Sequence, residues 1–452
     1  MKAIAISALS SGQGKTMFTM ALLNWLKANL GTVRPYKVGP DYIDPRFHEK
    51  ITGMDSINLD MYMMSEDYIK STFLYYAIGL NNLVVEGVMG FYDGIDHGTS
   101  TYDVTKTLNV STVLLVSAEG SYTTVVPTLK GMIDYKPNNT IKGIVLNKIS
   151  SEKHYQVIKD QIKREIPQLK VLGWIQKGLD VISSRHLGLD LTELNNEKLN
   201  ELSDAVMKNI DIPELLKFME YQNTIECESD YWLKEAEKVK QICGDLSLSI
   251  VHDEAFSFVY KQNLHFLEKV FGKIYKVSAL NDEEIPDDTD VVYIPGGYVE
   301  TAEVAPILDK AFRFKQSLQK IANNPDKRIY AECAGLMFLG NEIQTVDDKK
   351  INGAGILPLN FEIQKIRHRL GYYKAIDKEN LSLYKGHAFH YSRPLQINAE
   401  ESFIKWGLFK DRDEKASAGA WTNEKKNVLG TYLHSFFFNQ PDLVLRYLNS
   451  HN

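Results

Sequence analysis

Two short stretches hold residues that could do chemistry. In "SSGQGKT", Gly12 and Gly14 flank Gln13, and Lys15 and Thr16 follow. Backbone N–H groups at a helix N-terminus bind phosphate oxygens, a lysine offsets their charge, and a threonine hydroxyl holds Mg²⁺. The strict phosphate-loop pattern wants a glycine five residues before Gly14, where this chain has Leu9; Ala8 lies one residue earlier. In "RIYAECAG", Cys333 sits in A-E-C-A-G between a strand-like run and a helix-like one, the layout of a nucleophile elbow with Ala331 in place of the first glycine. Thiols at helix N-termini are favoured as thiolates, the nucleophilic form. The bland alternatives are a chance GKT in a surface turn and a buried structural cysteine.

Further residues complete each candidate site. "NLVVEG" ends on Glu86 at the C-terminal end of a strand, where open α/β sheets place their ligands. A carboxylate there either takes Mg²⁺ or caps a loop. "YKVGPDYIDPRFH" packs Lys37, Asp41, Tyr42 and Asp44 around a glycine and two prolines. It is either a rigid polar connection or a preorganised loop for a polar substrate or metal. For Cys333 a base is needed, and His434 in "NVLGTYLH" ends another strand. Gly296 and Gly297, together with the amide of Ala334 after the nucleophile, would supply oxyanion donors. His387 and His390 in "GHAFHYS" are competitors; spaced by three, they point to opposite faces of a strand, and one is expected to be structural.

The elements needed to position these groups follow from periodicity. "KAIAIS", "VRPYKV", "NLVVEG", "STVLLVS", "IKGIVLN" and "VLGWI" read as buried parallel strands alternating with helices. Charged amphipathic patterns fill about 190 to 245. Strand signals then restart with "LSLSIVHD", "GKIYKVSAL", "DVVYIPGG", "RIYAECAG" and "VLGTYLH". The expected architecture is two doubly wound α/β domains: residues 1–190 with the phosphate loop, a helical extension and linker over 191–245, and a second domain over 246–452.

Composition narrows the class. The 452 residues are 44% hydrophobic and 24% charged, with net charge −6 and no long basic run, which argues against nucleic acid as partner. Three cysteines without a CxxC pair suit the reducing cytoplasm. The apolar run near Lys2 is short and leads straight into the loop, so a buried strand is expected rather than a targeting segment. No apolar stretch is long enough to cross a membrane.

In family order over nearly the whole chain stand "SSGQGKT", "KVGPDYIDPRFH", "VVEGVMGFYDG", "SRHLGL", "DEAFSFVY", "PGGY", "AECAGLMFLG", "GHAFHYS" and "GTYLH". With them the chain resembles the cobyrinic acid a,c-diamide synthase family of cobalamin-pathway amidotransferases. The N-terminal half resembles dethiobiotin synthetase and its P-loop relatives; the C-terminal half is similar to triad-type class I glutamine amidotransferases with a flavodoxin-like fold. The resemblance implies that ATP converts the c and a acetate carboxylates of a corrin-type acid into acyl phosphates, which ammonia from L-glutamine displaces. It implies Gly12, Gln13, Gly14, Lys15, Thr16 and Asn147 as ATP contacts, with Asn147 reading the adenine. Thr16 and Glu86, with Asp41 or Asp44, are implied for Mg²⁺; Lys37, Asp41, Tyr42, Asp44, Arg185 and His186 for the substrate; Cys333 and His434 for glutamine hydrolysis. It leaves a homodimer open.

The chain departs from the family at Ala8, Ala334, Ala388 and Gln176. Phe436 stands two residues after His434, so the third member of the catalytic triad is unassigned. Nickel sirohydrochlorin, hydrogenobyrinic acid and other carboxylic acids remain alternative substrates. A partitioning-type P-loop switch is the alternative of another class, though such proteins carry a lysine where this chain has Ser10.

Overall fold

The computed structural model describes residues 1–179, 195–396 and 403–451, and the backbone of 184–185 and 188–189. The chain forms two compact units, Met1–Tyr231 and Trp232–Asn452.

The first unit is built on seven parallel strands: β1 (Lys2–Ala8), β2 (Val33–Val38), β3 (Ile57–Leu59), β4 (Asn82–Glu86), β5 (Thr112–Ser117), β6 (Ile141–Ile149) and β7 (Lys170–Gln176). Their order is β3-β2-β4-β1-β5-β6-β7. Because β1 pairs with both β4 and β5, the connections diverge at its C-terminal end, opening the crevice where such sheets bind ligands. One side of the sheet packs Ile4, Ile6 and Ala8 against Phe18, Leu22 and Leu26 of the helix Lys15–Leu30. Leu199, Leu202 and Val206 of the helix Asn196–Met207 join this core. Part of the charged amphipathic segment is therefore bound into the first unit, and Ser203 Oγ donates to the Ala21 carbonyl at 3.0 Å. The other side buries Leu114, Val116 and Leu146 beneath helices Val125–Asp134 and Glu152–Glu165. A two-residue ribbon, β8 (Ser184–Arg185) and β9 (Gly188–Leu189), lies further along the chain.

In the second unit, β10 (Ser247–Val251), β11 (Lys273–Val277), β12 (Val291–Ile294) and β13 (Arg328–Glu332) lead a nine-stranded sheet. The later strands are β14 (Glu342–Gln344), β15 (Lys350–Asn352), β16 (Leu359–Ile363), β17 (Arg369–Asp377), β18 (Leu383–His390), β19 (Ser392–Gln396), β20 (Ile404–Phe409), β21 (Ser417–Thr422) and β22 (Val428–Thr431). The sheet order is β11-β10-β12-β13-β22-β21-β20-β17-β18. Its first five strands run parallel, as expected for a doubly wound domain. The last four continue it antiparallel, a departure from the all-parallel pattern of a doubly wound sheet. A smaller sheet, β15-β14-β16-β19, completes the unit. Among the described residues, no helix is long and apolar enough to cross a membrane.

Candidate functional sites

The first site gathers at the C-terminal ends of β1, β2 and β4. Gly12 and Gly14 adopt left-handed backbone angles (φ 76° and 95°), which glycine adopts without a side-chain clash. A Cβ on Gly14 would lie 2.4 Å from Asn147 Nδ2. Asn147, on β6, donates from that nitrogen to the Gln13 carbonyl at 2.8 Å, while Gln13 Oε1 accepts from the Ser117 amide at 2.6 Å. Two neighbouring strands thus brace the loop, and the Asn147 amide is engaged with it. Ala8 belongs to β1, pairs in register with Leu115, and is not among the positive-φ residues. Its backbone therefore shows no need for glycine there.

Lys15 and Thr16 open the helix after the loop. Lys15 Nζ donates to the Met89 carbonyl. Burial and the nearby Lys37 charge lower the Lys15 pKa. Thr16 Oγ1 lies 2.9 Å from Glu86 Oε1 and 3.4 Å from Asp44 Oδ2. Lys37 is buried among carboxylates: it pairs with Asp44 and lies 3.4 Å from Glu86 Oε1 and 3.7 Å from Asp41 Oδ2. Burial pushes the Asp44 carboxyl up to about 6, against the pull of Lys37. Glu86 is fully buried, which by itself raises a carboxyl; Lys37, His48 and Thr16 outweigh this and hold its pKa well below the usual range.

Asp41 has a second task. Its Oδ1 accepts from the amides of Ile43 and Asp44 at 2.7 and 3.1 Å, capping the start of the helix Asp44–Thr52. Asn58 Nδ2 bonds the carbonyls of Gly39 and Asp41, fixing the loop that carries Tyr42. Asp44, rather than Asp41, faces Thr16. Arg185 contributes only backbone to the described structure, in β8, and His186 lies outside the described residues.

The donor set fits Mg²⁺. It offers only hard oxygens, Thr16, Asp44 and Glu86, at the end of a phosphate loop, and Mg²⁺ bound with nucleotide typically takes one or two carboxylates plus phosphates and waters. Among the described residues there is no cluster of three or more His, Cys, Asp or Glu side chains of the kind that holds a metal without a substrate.

The second site lies at the ends of β13 and β22. Cys333 ends the turn after β13 with φ 46° and ψ −100°, a strained conformation for a non-glycine residue, and opens the helix Ala334–Leu339. Its amide is bonded to the Thr431 carbonyl on β22 at 2.7 Å. His434 follows β22, and its imidazole lies beside the Cys333 side chain. A Cβ on Gly296 would lie 2.4 Å from His434 Cε1 and 3.4 Å from Cys333 Cβ. The glycine therefore permits the close approach of that loop to the pair. A Cβ on Gly297 would lie 2.0 Å from the Ala255 carbonyl, so the neighbouring position is equally crowded.

Burial opposes charge on His434, but the neighbouring Cys333 and Glu332 outweigh it and raise the imidazole pKa to about 10. His387 exchanges backbone hydrogen bonds with His434, at 2.9 and 2.8 Å. Burial, with the His434 charge, lowers the His387 side chain to about 3, which keeps it neutral. His390 stacks on Tyr432 with ring centroids 3.7 Å apart and bonds the Ser392 carbonyl.

Two residues in these sites had drawn no notice in the sequence. His48, in "DPRFH", places Nε2 2.7 Å from Glu86 Oε2 and Nδ1 3.0 Å from Ser56 Oγ. Its signal was a histidine four residues past Asp44, on the same helix. Glu332 precedes Cys333 and was visible only as a strand residue.

A model of the CobQ/CobB/MinD/ParA nucleotide binding domain matches residues 4–189, and one of the CobB/CobQ-like glutamine amidotransferase domain matches residues 247–442. Cobyrinate a,c-diamide synthase of Clostridium tetani is 38% identical over 461 residues, covering 98% of this chain and 99% of the relative. That of Fusobacterium nucleatum is 34% identical, covering 97% and 98%. That of Saccharolobus solfataricus is 33% identical with the same coverage, 97% and 98%. Each match covers nearly the whole chain and so spans both units. The chain belongs to the cobyrinate a,c-diamide synthase family.

Proposed function

We propose that the chain is a carbon–nitrogen ligase that amidates the a and c acetate side chains of cobyrinic acid with ATP and glutamine. The observation that carries this is the pairing of a braced phosphate loop with an elbow cysteine–histidine site in one chain.

A carboxylate is a poor acyl donor until one oxygen becomes a leaving group. Its oxygen attacks the γ-phosphorus of ATP, and ADP departs. Lys15 stands ready to leave the Met89 carbonyl for a phosphate oxygen, and the loop amides take the others. Bound through Thr16, Asp44 and Glu86, Mg²⁺ would offset charge on the transferred phosphoryl group. The Asp41–Asp44 loop, with Lys37, Tyr42, Arg185 and His186, is assigned to the substrate. Asn147 supports the loop rather than the adenine alone.

In the second unit the Cys333 thiolate attacks the glutamine side-chain amide. The Gly297 and Ala334 amides are assigned to the oxyanion, and His434 protonates the departing ammonia. Water then releases glutamate from the thioester. The ammonia must reach the acyl phosphate before solvent protonates it; it displaces phosphate and leaves the amide. The reaction is assigned to the cytoplasm, where a thiol stays reduced and ATP is at hand.

The acyl-phosphate step is tested with cobyrinic acid labelled with oxygen-18 in its carboxylates. Label appearing in the released phosphate supports it; amide formed with unlabelled phosphate refutes it.

A further inference from the structure

The buried carboxylate nearest His434 comes from an unusual place in the chain. Triad amidotransferases carry their acid two residues after the histidine, where this chain has the buried Phe436. Glu332 instead reaches in from the end of β13, immediately before the nucleophile. It is buried, and its Oε2 lies 3.4 Å from His434 Nδ1. Among the described residues its ion-pair partner is His434. Strand pairing explains the meeting: Glu332 is in register with Thr431 on β22, three residues before His434.

Two tyrosines hold the carboxylate. Tyr293 on β12 donates to Oε2 at 3.0 Å, and Tyr330 on β13 donates to Oε1 at 3.4 Å. Both are buried, and burial together with the Glu332 charge keeps both phenols protonated as donors. Both oxygens of Glu332 are thus anchored. His434 Nε2 lies on the side of Gly296, against which the Cys333 Cβ also packs.

We propose that Glu332 is the third member of the glutaminase triad, a positioning residue that orients the His434 imidazole through Nδ1 and stabilises its cationic form. Nδ1–H donates to Glu332, which leaves Nε2 to take the proton of Cys333 and return it to ammonia. The separation of 3.4 Å is long for a hydrogen bond, as such contacts often are before substrate binds. The other titratable groups facing His434 are Cys333, His387 and His390. The inference rests on the reading of Cys333 and His434 as a glutaminase.

The test uses full-length Glu332→Gln, with Tyr293→Phe as the milder variant and Cys333→Ala as the control. Glu332→Gln should lower glutaminase kcat by about tenfold or more, with KM for glutamine within about twofold, and leave ammonium-dependent amidation intact. The pH at which the ultraviolet thiolate–imidazolium signature titrates should also move down. Tyr293→Phe should shift kcat and that titration the same way by less. Unchanged kcat and titration in Glu332→Gln overturns the proposal. If that variant does not fold, unchanged kcat and titration in Tyr293→Phe overturns it. Equal loss with glutamine and ammonium marks a structural role and overturns it too. Retained glutaminase activity in Cys333→Ala would instead refute the underlying site.

Discussion

His48 Nε2 lies 2.7 Å from Glu86 Oε2, while Thr16 Oγ1 lies 2.9 Å from the other oxygen of the same carboxylate. Glu86 is thereby fixed from both sides, one oxygen turned to the helix that follows the phosphate loop and the other tied to the helix Asp44–Thr52. Removing the imidazole leaves a fully buried carboxylate oxygen without that partner, which costs about 1–3 kcal/mol. His48→Ala should therefore lower the denaturation midpoint and raise the Mg²⁺ concentration needed for half-maximal ATP turnover. Thermal melts and a Mg²⁺ titration check both.

Lys15 and Lys37 should separate function from stability. Among the described residues Lys15 bonds a carbonyl alone, so Lys15→Ala should fold normally and lose amidation with either glutamine or ammonium. Lys37 compensates Asp44 and Glu86 in a buried setting, and breaking such pairs costs about 3–5 kcal/mol. Lys37→Met should be strongly destabilised in chemical denaturation. Retained turnover in Lys15→Ala would refute the phosphate-loop assignment.

Gly14→Ala meets two obstacles at once. Its backbone is left-handed, and the added methyl carbon would lie 2.4 Å from Asn147 Nδ2. The expected cost is about 1–3 kcal/mol, with loss of nucleotide affinity seen by calorimetry. Ala8→Gly, at an extended strand position, should improve neither affinity nor stability.

The histidines of the second unit set a pH window. The folded His434 pKa, about 10, lies above the 6.5 of an ordinary histidine, so the folded state binds more protons between these values. That stabilisation is full below about 6.5 and is lost as pH rises through about 10. His387 is depressed to about 3, so the stability tied to its neutral form is present above 6.5 and lost as pH falls towards 3. Melting of the second unit should be most resistant near neutral pH, and Cys333→Ala should flatten its alkaline limb. An unchanged alkaline limb would contradict the His434–Cys333 pairing.

The parallel strands were legible because they are buried on both faces and read as continuous apolar runs, as in "STVLLVS". β3 was missed because three residues, "INL", give no period. The antiparallel strands were missed for another reason: "RLGYYKAID" mixes exposed and buried positions and takes its partners from distant segments. The nucleophile turn was readable from its spacing. Glu332 was not, because its role depends on β22, a hundred residues away, bringing His434 alongside β13. His48 was hidden likewise, since it meets Glu86 only when the helix after β2 packs beside β4.

The most direct measurement is mass spectrometry of cobyrinic acid incubated with the purified protein, Mg²⁺-ATP and glutamine, with hydrogenobyrinic acid and nickel sirohydrochlorin in parallel. The account predicts two successive acid-to-amide conversions on cobyrinic acid, each lowering the mass by about one unit as OH is replaced by NH₂ at the acyl centre. Unaltered cobyrinic acid, while glutamine is still hydrolysed, would contradict it.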